Sequence, residues 1–110
     1  MAIINWSESI ILVDLPLEPG MFDELDDVAK TIRQKHDCNV VLDFSGIEIM
    51  TGPGIDRVSI LYKLLTEHKS KLVLCNVFRE IKRVFISNKL DRLEFSDDKS
   101  TTLISLKMTG

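Results

Sequence analysis

Asn39-Val-Val-Leu-Asp-Phe-Ser-Gly-Ile-Glu-Ile-Met-Thr-Gly-Pro-Gly-Ile55 is the stretch that decides the fold. Val40, Val41 and Leu42 form a β-branched, apolar run that suits a strand covered on both faces. Asp43, Ser45 and Gly46 are turn residues that stop it. Thr51-Gly-Pro-Gly54 is too rich in glycine and proline for an element interior. Pro53 suits the first turn of a helix, where a missing N–H loses nothing. Strand, tight loop and helix start therefore follow one another directly. Amides at a helix start attract an anion or a partner's carboxylate, and α/β chains tend to place function at such junctions.

Working outward, Ser9 to Leu15 reads as a strand, with Ala2 to Trp6 pairing beside it, and Pro16-Leu-Glu-Pro-Gly20 breaks the chain. Phe22, Leu25, Val28, Ala29 and Ile32 recur at helical spacing. Acids at Asp23, Glu24, Asp26 and Asp27 and bases at Lys30, Arg33 and Lys35 match the dipole of that helix. A second helix runs from Ile55 to about His68 through Val58, Ile60, Leu61, Leu64 and Leu65. Leu72 to Val77 is a strand and Arg79 to Asn88 a helix with Ile81, Val84 and Phe85 inward. Leu93 to Phe95 is a short strand, and Ser96 or Asp97 caps a last helix through Leu103, Ile104 and Leu106. The expected architecture is α/β: a single layer of mixed, mostly parallel sheet covered by about four helices.

Composition narrows the function classes. The 110 residues are 45% hydrophobic and 28% charged, the balance of a globular chain forming one domain over 1–110. A net charge of −3, with basic residues scattered apart from Arg79, Lys82 and Arg83, argues against nucleic acid. No apolar run approaches the roughly 20 residues of a membrane span, and no basic, apolar leader opens the chain. A cytoplasmic location is the default expectation. Cys38 and Cys75 complete no metal or disulfide pattern, and His36 and His68 read as helix C-terminal residues favoured by the dipole. Asp43, Ser45 and the distant histidines form no catalytic constellation, so no catalysis, metal or cofactor is expected. Burial of Trp6 would close one end of the sheet, whereas an exposed Trp6 beside an edge strand would favour a homodimer.

Taken in order and spacing, these pieces resemble the STAS domain, the fold of bacterial anti-sigma factor antagonists and of the cytoplasmic tail of sulfate transporters. Val40-Val-Leu-Asp-Phe-Ser-Gly-Ile47 is similar to the family's hydrophobic strand followed by Asp-Leu-Ser-Gly-Val. Lys71-Leu-Val-Leu-Cys-Asn76 and Glu80-Ile-Lys-Arg-Val-Phe85, followed by Lys89-Leu90, resemble its next strand and helix. The resemblance covers nearly the whole chain. It implies a protein-interaction module whose partner is an anti-sigma factor or a histidine-kinase-like serine kinase. It also implies a binding surface of Met50, Thr51, Gly52, Pro53, Gly54, Asp56 and Arg57 with the outer face of the second helix.

Antagonists of the family carry Asp-Ser-Ser-Gly, whose first serine the partner kinase phosphorylates. Counting from Gly46, that motif falls on Thr51, Gly52, Pro53 and Gly54, so the acceptor hydroxyl and the acid before it are both missing. Thr51 is the nearest hydroxyl and the phosphoacceptor candidate; its competing role is a cap on the following helix. Met50, read as exposed, would offer an adaptable contact and Asp56 and Arg57 electrostatic register. Two alternatives remain: a constitutive or scaffold-type partner that binds without phosphorylation, and a small-ligand or nucleotide-binding STAS domain using the same loop.

Overall fold

A computed structural model describes residues 3–7, 9–35 and 37–109, with side chains over 9–35 and 37–106. Val40, Val41 and Leu42 are fully buried because their strand is the middle one of the five among the described residues. The sheet runs β1 (Ile3–Ser7), β2 (Ile10–Asp14), β3 (Asn39–Asp43), β4 (Leu72–Cys75) and β5 (Glu94–Ser96), in that spatial order. β1 is antiparallel to β2, pairing Ile3 with Val13 and Ser7 with Ile10, with an irregularity between Asn5 and Ser7. The remaining pairs are parallel. Their register aligns Asp14, Asp43, Cys75 and Ser96 along one edge, where the strands end.

Alternation along the strands sorts the core into two faces, as a period of two requires. Ile11, Val13, Val40, Leu42, Leu72 and Leu74 point to one side. They pack against α1 (Gly20–Gln34), α2 (Gly52–Glu67) and α3 (Arg79–Ser87), the helices that connect successive parallel strands. Crossovers of one hand that each step to the next strand keep their helices on the same face. Ile10, Leu12, Val41, Val73 and Cys75 point to the other side, where Leu103 and Leu106 of α4 (Lys99–Thr109) cover them. On the three-helix face the fully buried Phe44 and Phe85 meet edge-on, with ring centroids 5.9 Å apart at 83°. That geometry matches the quadrupoles of the two rings.

Several local expectations shift. Leu25, Val28, Ala29 and Ile32 of α1 are buried as their spacing suggests, but the stripe begins at the buried Met21 and Phe22 is only half-buried. Ile60 and Ile104, read as inward, are exposed, because each lies beside the buried row of its helix. β5 begins at Glu94, and Leu93 instead fills the core ahead of it. α4 is capped by Asp98, whose carboxylate accepts the Thr101 N–H at 3.1 Å and the Thr101 hydroxyl at 2.9 Å. Those bonds to Thr101 hold the Asp98 carboxyl below its ordinary pKa. Lys69 and Lys89 take left-handed backbone angles after α2 and α3, where glycine is usual. The side chain of Trp6 and residue His36, on which two of the readings fall, lie outside the described residues. Among the described residues no helix is long and apolar enough to cross a membrane.

Candidate protein-interaction site

The parallel register brings the loops after β2, β3 and β4 to one edge of the sheet. The central loop is anchored by Asp43, which is 7% exposed and the last residue of β3. Its carboxylate accepts the Ser45 N–H at 3.0 Å, closing an Asx turn, and the Asn76 amide at 3.3 Å. Lys99, at the start of α4, donates to its other oxygen at 2.8 Å and lies 3.5 Å from Asp14. Burial alone would raise the pKa of Asp43. Lys99, the Ser45 N–H and Asn76 outweigh it and bring the carboxyl down to about 2. A permanent anion thus fixes the start of the loop, while Asn76 reaches it from a left-handed position that asparagine tolerates.

At the far end of the loop Thr51 occupies the cap position of α2, but its hydroxyl does not cap the helix. The Thr51 hydroxyl donates to Glu18 at 2.7 Å, and the Thr51 N–H donates to the other oxygen of the same carboxylate at 2.8 Å. Glu18 comes from the loop after β2, ahead of a cis bond to Pro19. A carboxylate at a helix start is favoured by the dipole, by about 0.3–1 kcal/mol. It replaces the expected Thr51 cap and leaves the helix start negative, which an incoming phosphate would meet as repulsion. Gly54 makes room for this contact: a Cβ there would lie 2.7 Å from Glu18 Oε2 and 3.3 Å from Met50 Cε.

The seven residues expected to form the surface do not all reach it. Thr51, Gly52, Pro53 and Asp56 are exposed. Met50 is 8% exposed and Gly54 is buried, so Met50 supports the loop from beneath and is not the adaptable contact expected of it. Arg57 turns to α1: its guanidinium lies 4.7 Å from the Phe22 ring centre and 3.2 Å from Asp26, and it donates to the Pro53 carbonyl at 3.1 Å. Three further residues belong to the edge and were not read from the sequence, namely Glu18 and the exposed Leu17 and Ile49. The signal for them was available. A parallel sheet places the Pro16–Gly20 loop beside the loop that follows β3. Among the described residues no group of three or more His, Cys, Asp or Glu could hold a metal ion. Cys38 and Cys75 are buried and form no disulfide, and burial pushes their thiol pKa values up.

Solved structures share this fold. The phosphorylated form of SpoIIAA, a Bacillus cell fate determinant, superposes with a TM-score of 0.77 at 11% identity, over 94% of this chain and 96% of that one. The anti-sigma factor antagonist SpoIIAA in its unphosphorylated form gives 0.74 at 13% identity, over 98% and 96%. The chain has the fold of the anti-sigma factor antagonists. A STAS domain protein from Planctomyces limnophilus shares it too, with a TM-score of 0.68 at 17% identity over 92% and 93% of the two chains. No protein-family model matches the sequence, and no curated relative matches it. The STAS resemblance read from the motifs thus agrees with the architecture, which among the described residues is a mixed sheet with one antiparallel strand and four helices. Within this STAS fold, Gly52 stands at the helix start to which the motif assigns the acceptor serine.

Proposed function

We propose that residues 1–110 form a non-catalytic protein-interaction module of the anti-sigma factor antagonist kind that binds its partner without a phosphoswitch. The partner is a histidine-kinase-like anti-sigma factor or a regulatory assembly containing one. The binding surface comprises the loop and helix start at 50–57. Thr51, Gly52, Pro53 and Asp56 make the contacts, and Met50, Gly54 and Arg57 hold them in place. Likeness of fold to the antagonists supports the kind of function.

The observation that carries the absence of a switch is the state of the helix start. Gly52 and Pro53 have no hydroxyl, and the Thr51 hydroxyl is spent on Glu18. A phosphoryl group on Thr51 would add close to two negative charges against a carboxylate already in contact. The same carboxylate disfavours an anionic small ligand at this place, so the nucleotide reading ranks second.

Affinity capture from the source cell, with the wild-type chain and with Asp56→Arg and Thr51→Arg, tests the proposal. The expected result is one kinase-like protein held by the wild type and released by both variants. Intact mass of the recovered chain after ATP should be unchanged. A gain of about 80 Da, one phosphoryl group, on Thr51 would overturn the switch-free form. Equal capture by all three chains would overturn the surface.

A further inference from the structure

We infer that the partner docks through a basic, apolar segment in which two hydrophobic side chains flank a lysine or arginine. This inference rests on the interaction reading above and names the partner's chemistry. Leu17 and Ile49 are 64% and 77% exposed, and they come from different loops to line one groove of 600 Å³ with Glu18 and Glu48. Across Glu48 lies a second hollow of 290 Å³, lined by Phe78, 41% exposed, and by Glu80. Isolated exposed hydrophobics are ordinary, but apolar residues gathered along one edge from three loops mark a binding surface.

Charge selects what covers this edge. Among the described residues, those lining the two hollows include three glutamates and neither lysine nor arginine. The net charge of the chain, −3, adds to the same sign. A second copy would bring this acidic edge against another of its kind. A segment with a cation between two apolar side chains instead fills both hollows and sets its charge against Glu48, the residue they share.

Amide NMR titration of the labelled chain with three synthetic peptides tests this. One peptide carries two leucines around an arginine with flanking lysines; the second has glutamate at every basic position; the third has serine for each leucine. The first should shift the amides of Leu17, Glu18, Glu48, Ile49 and Phe78, and added salt should weaken it. The other two should bind at least tenfold more weakly. Ile49→Ser should weaken the first peptide about tenfold, and Glu48→Lys should remove the preference for positive charge. Both positions are exposed, and the unshifted remainder of the spectrum reports that each variant is folded. Equal binding of the acidic peptide, or shifts centred away from this edge, would overturn the inference. If capture of the natural partner withstands Ile49→Ser and Glu48→Lys yet fails with Asp56→Arg, the docking chemistry is wrong and the interaction surface stands. If all four variants capture the partner equally, the whole edge is wrong as a binding surface; if the wild type captures no kinase-like protein, the interaction reading itself falls.

Discussion

Replacing Lys99 by methionine probes the link between α4 and the central loop. Lys99 opens its helix, where a cation opposes the dipole at a cost of about 0.3–1 kcal/mol. Its place is explained by Asp43 at 2.8 Å and Asp14 at 3.5 Å. Asp43 ionises near 2 in the folded chain against an ordinary 3.8. At about 1.36 kcal/mol for each tenfold change, that is about 2.5 kcal/mol in favour of the folded state at neutral pH. Removing one member of a buried pair can cost about 3–5 kcal/mol. Here the Ser45 and Asn76 bonds remain, Lys99 is partly solvated and the dipole is relieved, so Lys99→Met should lose about 2 kcal/mol at pH 7.

The sign of the pH dependence follows from the lowered pKa. Stability from a depressed carboxyl is fully present above its unfolded value near 4 and is lost as pH falls towards 2. The deficit of Lys99→Met should therefore shrink over that interval, and it should be small at every pH in an Asp43→Asn background. Urea unfolding followed by circular dichroism, at steps from pH 7 to pH 2.5, measures both. A deficit of constant size across the pH range, or one that persists with Asp43→Asn, would mean that Lys99 acts through its hydrocarbon stem, and the electrostatic account would fail.

Phe85→Ala removes the ring that meets Phe44 edge-on in the core, and should cost about 3–5 kcal/mol in denaturant unfolding. Gly54→Ala should leave stability within about 1 kcal/mol, since better helix propensity offsets the displaced Glu18. Loss of the Glu18 contact should nevertheless speed amide exchange at Thr51 about tenfold; an unchanged Thr51 amide would mean that Glu18 accommodates the methyl in place. Lys89→Gly relieves a left-handed lysine after α3, where Leu90 N–H bonds back to the Phe85 carbonyl. It should raise the midpoint of thermal unfolding by a few degrees, about 0.5–1 kcal/mol.

The architecture was legible because its signals are periodic. Val40 to Leu42 and Leu72 to Cys75 read as strands from their apolar runs, and the helices between them from their 3.6-residue spacing. The errors are of another kind. Thr51 has the residue type and position of a helix cap, but a carboxylate 33 residues earlier in the chain takes its hydroxyl. Met50 adjoins an exposed threonine, yet its side chain turns under the loop towards Gly54. Asp98 displaced Ser96 and Asp97 as the cap of α4, a difference of one or two positions that residue type cannot decide. In each case the deciding contact comes from the packing of loops or the path of the backbone, which the spacing of residue types does not encode.

Glu18 gives the start of α2 its negative charge through a carboxylate built into the chain. No phosphatase can strip that charge and no kinase is needed to restore it. It is set when the polypeptide is synthesised and lasts until the polypeptide is degraded. Under the switch-free function proposed above, altering how much of this charged surface a cell contains would follow the time scale of synthesis and proteolysis.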